Sequence, residues 1–140
     1  MPVFSEVMAP RLPETSLAAA LRDTVYIVDD DADVRESARA LLESHNLTVQ
    51  DFASARAFLE GFRGDCRACL LLDLNMPEMG GLELLEQLRR RKIGLPVIIV
   101  TAQGDRNARE DAQRAGAFAF LEKPVDDSLL ATIDQALKAA

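Results

Sequence analysis

Four places in this 140-residue chain put chemically active side chains directly behind apolar runs. Val25 to Val28 leads into Asp29-Asp30-Asp31, and Cys69-Leu70-Leu71-Leu72 leads into Asp73. Pro96 to Val100 leads into Thr101, and Ala117 to Leu121 leads into Glu122-Lys123-Pro124. If these acids converge, they repel one another. At a separation of about 6 Å and an effective dielectric near 20, each carboxylate pair costs roughly 3 kcal/mol. A divalent cation removes that cost, and an all-oxygen donor set favours a hard ion, Mg²⁺ or Mn²⁺, that keeps some waters. An aspartate in such a cluster, with a hydroxyl and an ammonium opposite, can attack phosphorus and form an acyl phosphate.

Convergence requires that the apolar runs be strands of one sheet, all ending at the same edge. The pattern between them supports this. After Val25–Val28, Val34, Ala38, Leu41 and Leu42 recur at helical spacing, with Asp31 or Asp33 near the helix start. Leu47 to Phe52 alternates as a strand does. Ala55, Phe58, Leu59 and Phe62 then mark a second helix, closed by Gly61 and Gly64. The Asp73 strand follows, and Leu82, Leu85 and Leu88 form the apolar face of a third helix. Pro96–Val100 reads as a fourth strand. Arg106–Ala115 reads as a helix with only Ala108, Ala112 and Ala115 facing inward. Ala117–Leu121 is a fifth strand, and Leu129, Leu130, Ile133 and Leu137 mark the last helix. Five β–α units in alternation imply an α/β fold, a five-stranded parallel sheet with helices on both faces. Ligands of such sheets sit beyond the carboxyl ends of the strands, where these polar residues fall.

Composition excludes several classes. Hydrophobic residues are 49% and charged residues 28%, the balance of a globular domain. A net charge of −7 argues against direct nucleic-acid binding by this chain. No apolar stretch approaches the roughly 18–20 residues of a membrane span, and no secretory signal is present, so the cytoplasm is the expected compartment. Residues 1–22, with Pro2, Pro10 and Pro13, read as an extension, flexible or partly helical over Ser16–Leu21. Residues 23–140 read as the domain. Cys66 and Cys69 form a C-x-x-C, but it enters a strand rather than opening a helix, and His45 is the only histidine. A buried Cys69 and a loop Cys66 are the expected roles. The basic run Arg89 to Lys92 suits a helix C-terminus. His45 is placed in a loop.

Together, Val28-Asp29-Asp30-Asp31, Leu72-Asp73-Leu74-Asn75-Met76-Pro77, Val100-Thr101-Ala102 and Glu122-Lys123-Pro124 resemble the receiver domain of two-component response regulators. The likeness covers residues 23–140 and is nearest the nitrogen-fixation-regulator type. It implies a flavodoxin-like (βα)5 fold with strand order 2-1-3-4-5. It implies that Asp73 accepts a phosphoryl group from a histidine kinase phosphohistidine. It implies Mg²⁺ held by Asp29, Asp30, Asp73 and the Asn75 backbone carbonyl, with Asp30 the stronger direct ligand. Thr101 matches the hydroxyl that turns toward the phosphoryl group, and Lys123 the lysine that pairs with it, with the Lys123–Pro124 bond cis. Phe120 matches the aromatic that swings with Thr101. Ala102 matches a small residue that leaves the site open, and Gln103 and Asn75 match positions that tune phosphoryl lifetime. The expected partners are a sensor kinase and, through the fourth helix, fifth strand and fifth helix, a phosphorylation-dependent second copy.

Taken singly, these residues have plainer readings. Asp31 reads as a helix cap rather than a ligand. Phe120, without its spacing from Lys123, would read as core. A haloacid-dehalogenase-type phosphatase also uses an aspartyl phosphate, but needs a second acid where this chain has Asn75. A flavodoxin needs a hydroxyl- and glycine-rich loop where this chain has three acids. No G-x-x-x-x-G-K-[ST] or G-x-G-x-x-G occurs. The reading is therefore a switch that phosphorylates and dephosphorylates itself, not an enzyme with an outside substrate. It serves either as the receiver of a transcriptional regulator or as a stand-alone signalling protein.

Overall fold

Residues 23–64, 67–76, 78–102, 106–124 and 126–140 are described by the computed structural model. The proposed extension 1–22, Cys66, Pro77 and Gln103 lie outside the described residues. Strands and helices alternate: β1 (Thr24–Val28), α1 (Ala32–Glu43), β2 (Thr48–Phe52), α2 (Ala55–Gly61), β3 (Ala68–Leu72), α3 (Gly81–Arg90), β4 (Val97–Thr101), α4 (Arg106–Arg114), β5 (Ala119–Glu122) and α5 (Asp127–Ala139). All strand pairs are parallel, and the order is β2-β1-β3-β4-β5, the expected 2-1-3-4-5.

The central strands β1, β3 and β4 are buried along their whole length, whereas the edge strands β2 and β5 are partly exposed. This explains why the first, third and fourth runs are uniformly apolar and the second alternates. One sheet face presents Val25, Ile27, Cys69, Leu71, Ile98 and Val100 to α1 and α5. The other presents Tyr26, Val28, Leu70, Leu72, Val97 and Ile99 to α2, α3 and α4.

Helix starts follow the capping signals. The Asp31 carboxylate accepts from the N–H groups of Asp33 and Val34, Ser54 accepts from Ala57, and Asp126 accepts from Ser128. Helix α3 has no side-chain cap. It starts instead at Gly81, where a Cβ would lie 2.5 Å from the Asp73 carbonyl oxygen and 2.8 Å from the Leu74 Cα. Only a residue without a side chain lets the helix begin this close to the strand end at Asp73.

Four details differ from the sequence expectations. Helix α3 buries Leu84, Leu85 and Leu88, while Leu82 is only partly buried, because the position of Gly81 sets the rotation of the helix. Strand β2 starts at Thr48 rather than Leu47. Strand β4 runs to Thr101 rather than starting at Pro96, which has no N–H for a ladder. Strand β5 begins at Ala119, after a turn in which Gly116 takes φ +98°. In helix α4 only Ala112 is fully buried, while Ala108 within it and Ala115 just beyond its end are partly buried. No helix among the described residues is long and apolar enough to cross a membrane.

Candidate functional site

The strand register brings the expected residues to one rim. The Asp73 amide donates to the Val28 carbonyl and the Asp29 amide to the Phe52 carbonyl, so both acids leave the sheet at the same level. Lys123 leaves β5 beside Thr101, its amide donating to the Thr101 carbonyl at 2.9 Å. The Lys123–Pro124 peptide is cis, as expected.

The carboxylates of Asp29, Asp30 and Asp73 offer oxygens that all lie within 4.8 Å of one another. Asp29 and Asp73 are buried and Asp30 is exposed. Lys123 Nζ donates to Asp29 Oδ2 at 2.9 Å and stands 3.5 Å from Asp73 Oδ2. The lysine therefore bridges two acids and sits closer to Asp29 than to the expected acceptor. Burial alone would lower the Lys123 ammonium, but its contacts with Asp29 and Asp73 outweigh that and hold it above its ordinary value. Burial is the largest effect on Asp73 and pushes its carboxyl above the usual range. The Asn75 N–H and Lys123 pull it back in part, and Asp29 adds to the rise. Three hard oxygen donors this close, two of them buried, fit a small divalent cation of the Mg²⁺ or Mn²⁺ kind.

The other expected residues are present with particular partners. Thr101 is fully buried, and its Oγ1 accepts from Asn75 Nδ2 at 3.2 Å. The Asn75 amide N–H donates to Asp73 Oδ1 at 3.2 Å. The segment after β3 thus touches both the acid and the hydroxyl. Phe120, partly buried, carries the Arg109 guanidinium 4.7 Å above its ring centroid. Asp31 caps α1 and donates its own N–H to Asp29 Oδ1 at 2.9 Å, so it orders the acidic turn without joining the cluster. Cys69 is a buried core residue whose thiol burial pushes up to about 12, an unreactive state at neutral pH. His45 lies in the turn between α1 and β2, its Nδ1 near the Leu41 carbonyl.

Sequence reasoning missed a layer behind the acids. Arg35 Nη1 donates to the Asp29 carbonyl at 2.8 Å, and its Nε donates to Asp51 Oδ2 at 3.0 Å. Arg39 engages the second oxygen of Asp51 and also reaches Glu43 and the Val49 carbonyl. The Arg39 guanidinium, opposed by burial and helped by Arg35, holds the Asp51 carboxyl below the usual range. A signal was available: Asp51 shares the inward face of its strand with Val49, and an acid so placed needs a cation.

Comparison with known proteins bears on the fold and the family. A family model described as the response regulator receiver domain matches residues 25–134. The transcriptional regulatory protein FixJ of Bradyrhizobium diazoefficiens is 38% identical over 117 residues, covering 83% of this chain and 57% of its own. The transcriptional regulatory protein TdiR of Thauera aromatica is 40% identical over 115 residues, covering 81% and 51%. The chain spans about half the length of the curated relatives it matches. Among solved structures, the response regulator StyR superposes with a TM-score of 0.78 at 44% identity, over 84% of this chain and 60% of that one. FixJ-N superposes with a TM-score of 0.76 at 40% identity, over 84% and 94%.

Proposed function

We propose, because this chain belongs to the response regulator receiver family, that it accepts a phosphoryl group on Asp73 and passes the change to the surface of α4, β5 and α5. One observation carries the reading: three carboxylates from two strand ends meet within 4.8 Å, and one ammonium bridges two of them. Nothing in the comparisons supports the dehalogenase-type phosphatase.

In the step envisaged, an Asp73 carboxylate oxygen forms a bond to phosphorus as the bond from phosphorus to the donor breaks. For a kinase phosphohistidine, the electron pair of that bond returns to the imidazole nitrogen, which then takes a proton. Asp29, Asp30, Asp73 and the Asn75 backbone carbonyl are the residues assigned to Mg²⁺. The bound cation supplies charge neutralisation at the phosphoryl oxygens. The remaining work belongs to the protein. Lys123 offers a second positive charge already between Asp29 and Asp73. Thr101 offers a hydroxyl that leaves Asn75 to donate to the new anion. Hydrolysis of the acyl phosphate by water restores the carboxylate, so the chain resets itself.

In this reading Thr101 turns toward the phosphoryl group and Phe120, on the neighbouring strand, follows it. Since the relatives FixJ and TdiR are named as transcriptional regulatory proteins, the favoured setting is the receiver of a longer regulator whose nucleic-acid contacts lie elsewhere. A sensor kinase is then the donor, and a second copy at the α4–β5–α5 face the first listener. The cytoplasm is the compartment that fits a kinase-coupled receiver.

The test is uptake from acetyl phosphate with Mg²⁺, read by intact-mass spectrometry. The native chain gains one phosphoryl group, and Asp73→Asn gains none while melting cooperatively. A phosphoryl group retained on Asp73→Asn would sink the assignment.

A further inference from the structure

We infer that Arg35, anchored by Asp51, is a positioning residue that sets the orientation of the Asp29–Asp30 peptide and so the affinity of the acidic cluster for a divalent cation. The inference rests on the metal-dependent reading above and goes beyond it to residues outside the cluster.

The geometry is a two-point clamp. The Asp29 carbonyl belongs to the peptide that joins Asp29 to Asp30, and Arg35 Nη1 holds that oxygen at 2.8 Å. The amide on the other side of Asp29 donates to the Phe52 carbonyl at 3.2 Å. Arg35 is itself fixed by its Nε bond to Asp51 at 3.0 Å. Both ends of the Asp29 backbone are therefore tied to consecutive residues of β2, one directly and one through a guanidinium. Arg39 occupies the remaining Asp51 oxygen, so Asp51 cannot swing away from Arg35 without losing a second cation. The Arg35 side chain is only 18% exposed, which shields these bonds from water.

The clamp bears on Asp30 in particular. Its carboxylate is exposed and joins the cluster without a side-chain hydrogen bond among the described residues. The direction of its Cα–Cβ bond is set by both flanking peptides: the preceding one, whose carbonyl Arg35 holds, and the following one, whose Asp31 N–H donates to Asp29 Oδ1 at 2.9 Å. The fork matters as well as the charge. A guanidinium reaches two acceptors from fixed Nε and Nη1 positions, whereas an ammonium is a single point of donation. Groups that orient a metal ligand without touching the metal typically change affinity by about 10- to 100-fold when removed.

Charge and positioning predict opposite signs. If Arg35 acted only as a nearby positive charge, its removal would strengthen cation binding. If it positions the turn, its removal weakens binding. The experiment titrates Mn²⁺, followed by the electron paramagnetic resonance signal of the free ion, into the native chain, Arg35→Ala, Arg35→Lys, Asp51→Asn and Asp30→Asn. Binding roughly tenfold weaker is expected for Arg35→Ala and Asp51→Asn. Lysine should not restore it, although it keeps the charge. Phosphorylation from acetyl phosphate at saturating Mg²⁺ should return to the native rate in Arg35→Lys, because only affinity is altered. Amide exchange in β3 serves as the fold control, and Arg35→Lys, which keeps the charge but not the fork, covers the case in which Arg35→Ala folds poorly; Asp51→Asn is read only beside it, because losing an anion also weakens cation binding. Native-like or tighter Mn²⁺ binding by the Arg35 and Asp51 variants, with Asp30→Asn still defective, overturns this inference alone. No Mn²⁺ binding by the native chain, or native binding by Asp30→Asn, overturns the metal-site reading and this inference with it.

Discussion

Helices α1 and α4 pack on opposite faces of the sheet, and both lead away from the acidic rim, yet they are held very differently. Helix α1 has an Asp31 cap, a fully buried Leu42, a buried Ala38 and two arginines tied to β2. Helix α4 buries Ala112 and little else, and lays one arginine over Phe120. Burying a leucine side chain contributes about 1.5–3 kcal/mol, and a single methyl closer to about 0.8 kcal/mol. The difference teaches a division of labour. The acids stand at the stiff side, where position must be kept. Phe120 and its neighbours stand at the loose side, where an element held weakly can shift.

The contrast can be broken most directly by truncation. Leu42→Ala should cost about 2–5 kcal/mol in urea unfolding. Ala112→Gly should cost less, about 1–2 kcal/mol, from helix propensity and one lost buried methyl. Equal losses would mean that α4 is as firmly built as α1.

A middle-sized effect separates the two sides by pH. Asp51→Asn should cost about 1–2 kcal/mol at neutral pH, since it weakens charged hydrogen bonds in a partly screened setting. Arg39, and after it Arg35, hold the Asp51 carboxyl below its ordinary value. Its contribution is therefore present above the unfolded-state value and is lost as pH falls through the folded one. The native chain and Asp51→Asn should converge in acid. A gap that persists at low pH would assign the loss to something other than the ion pairs.

The smallest effect sharpens the comparison. Arg109→Ala removes a cation–ring contact worth about 0.5–1 kcal/mol. Amides of α4 should then exchange faster, with those of α1 unchanged. Faster exchange in both helices would show that the two sides are coupled in the resting state.

Much of this arrangement was readable from the chain itself, for a physical reason. Strands buried on both faces must be apolar, so the polar residue that ends each one stands out. Asp29, Asp73, Thr101 and Lys123 were found in that way. What could not be read depended on contacts between distant segments. Asp51 could have been noticed on the strand face it shares with Val49, but nothing in the order of residues said that Arg35 and Arg39 would meet it. Nor did spacing say that Lys123 would sit nearer Asp29 than Asp73, a choice made between two carboxylate oxygens at 2.9 and 3.5 Å. The use of Leu84 in place of Leu82 depended on where α3 begins, which is settled by backbone contact at Gly81 and not by the leucine pattern.

That same glycine gives the rim a hard stop. Helix α3 abuts the Asp73 carbonyl with no side chain between them, and Leu84, Leu85 and Leu88 anchor it to the sheet. A load placed on the Asp73 carboxylate cannot be absorbed by recoil of its own main chain without prying that helix loose. In the proposed switch, the neighbours left to respond are Thr101, Lys123 and the lightly seated α4. The strand end at Asp73 is backed as by an anvil, and the missing Cβ at Gly81 is what lets that backing lie so close.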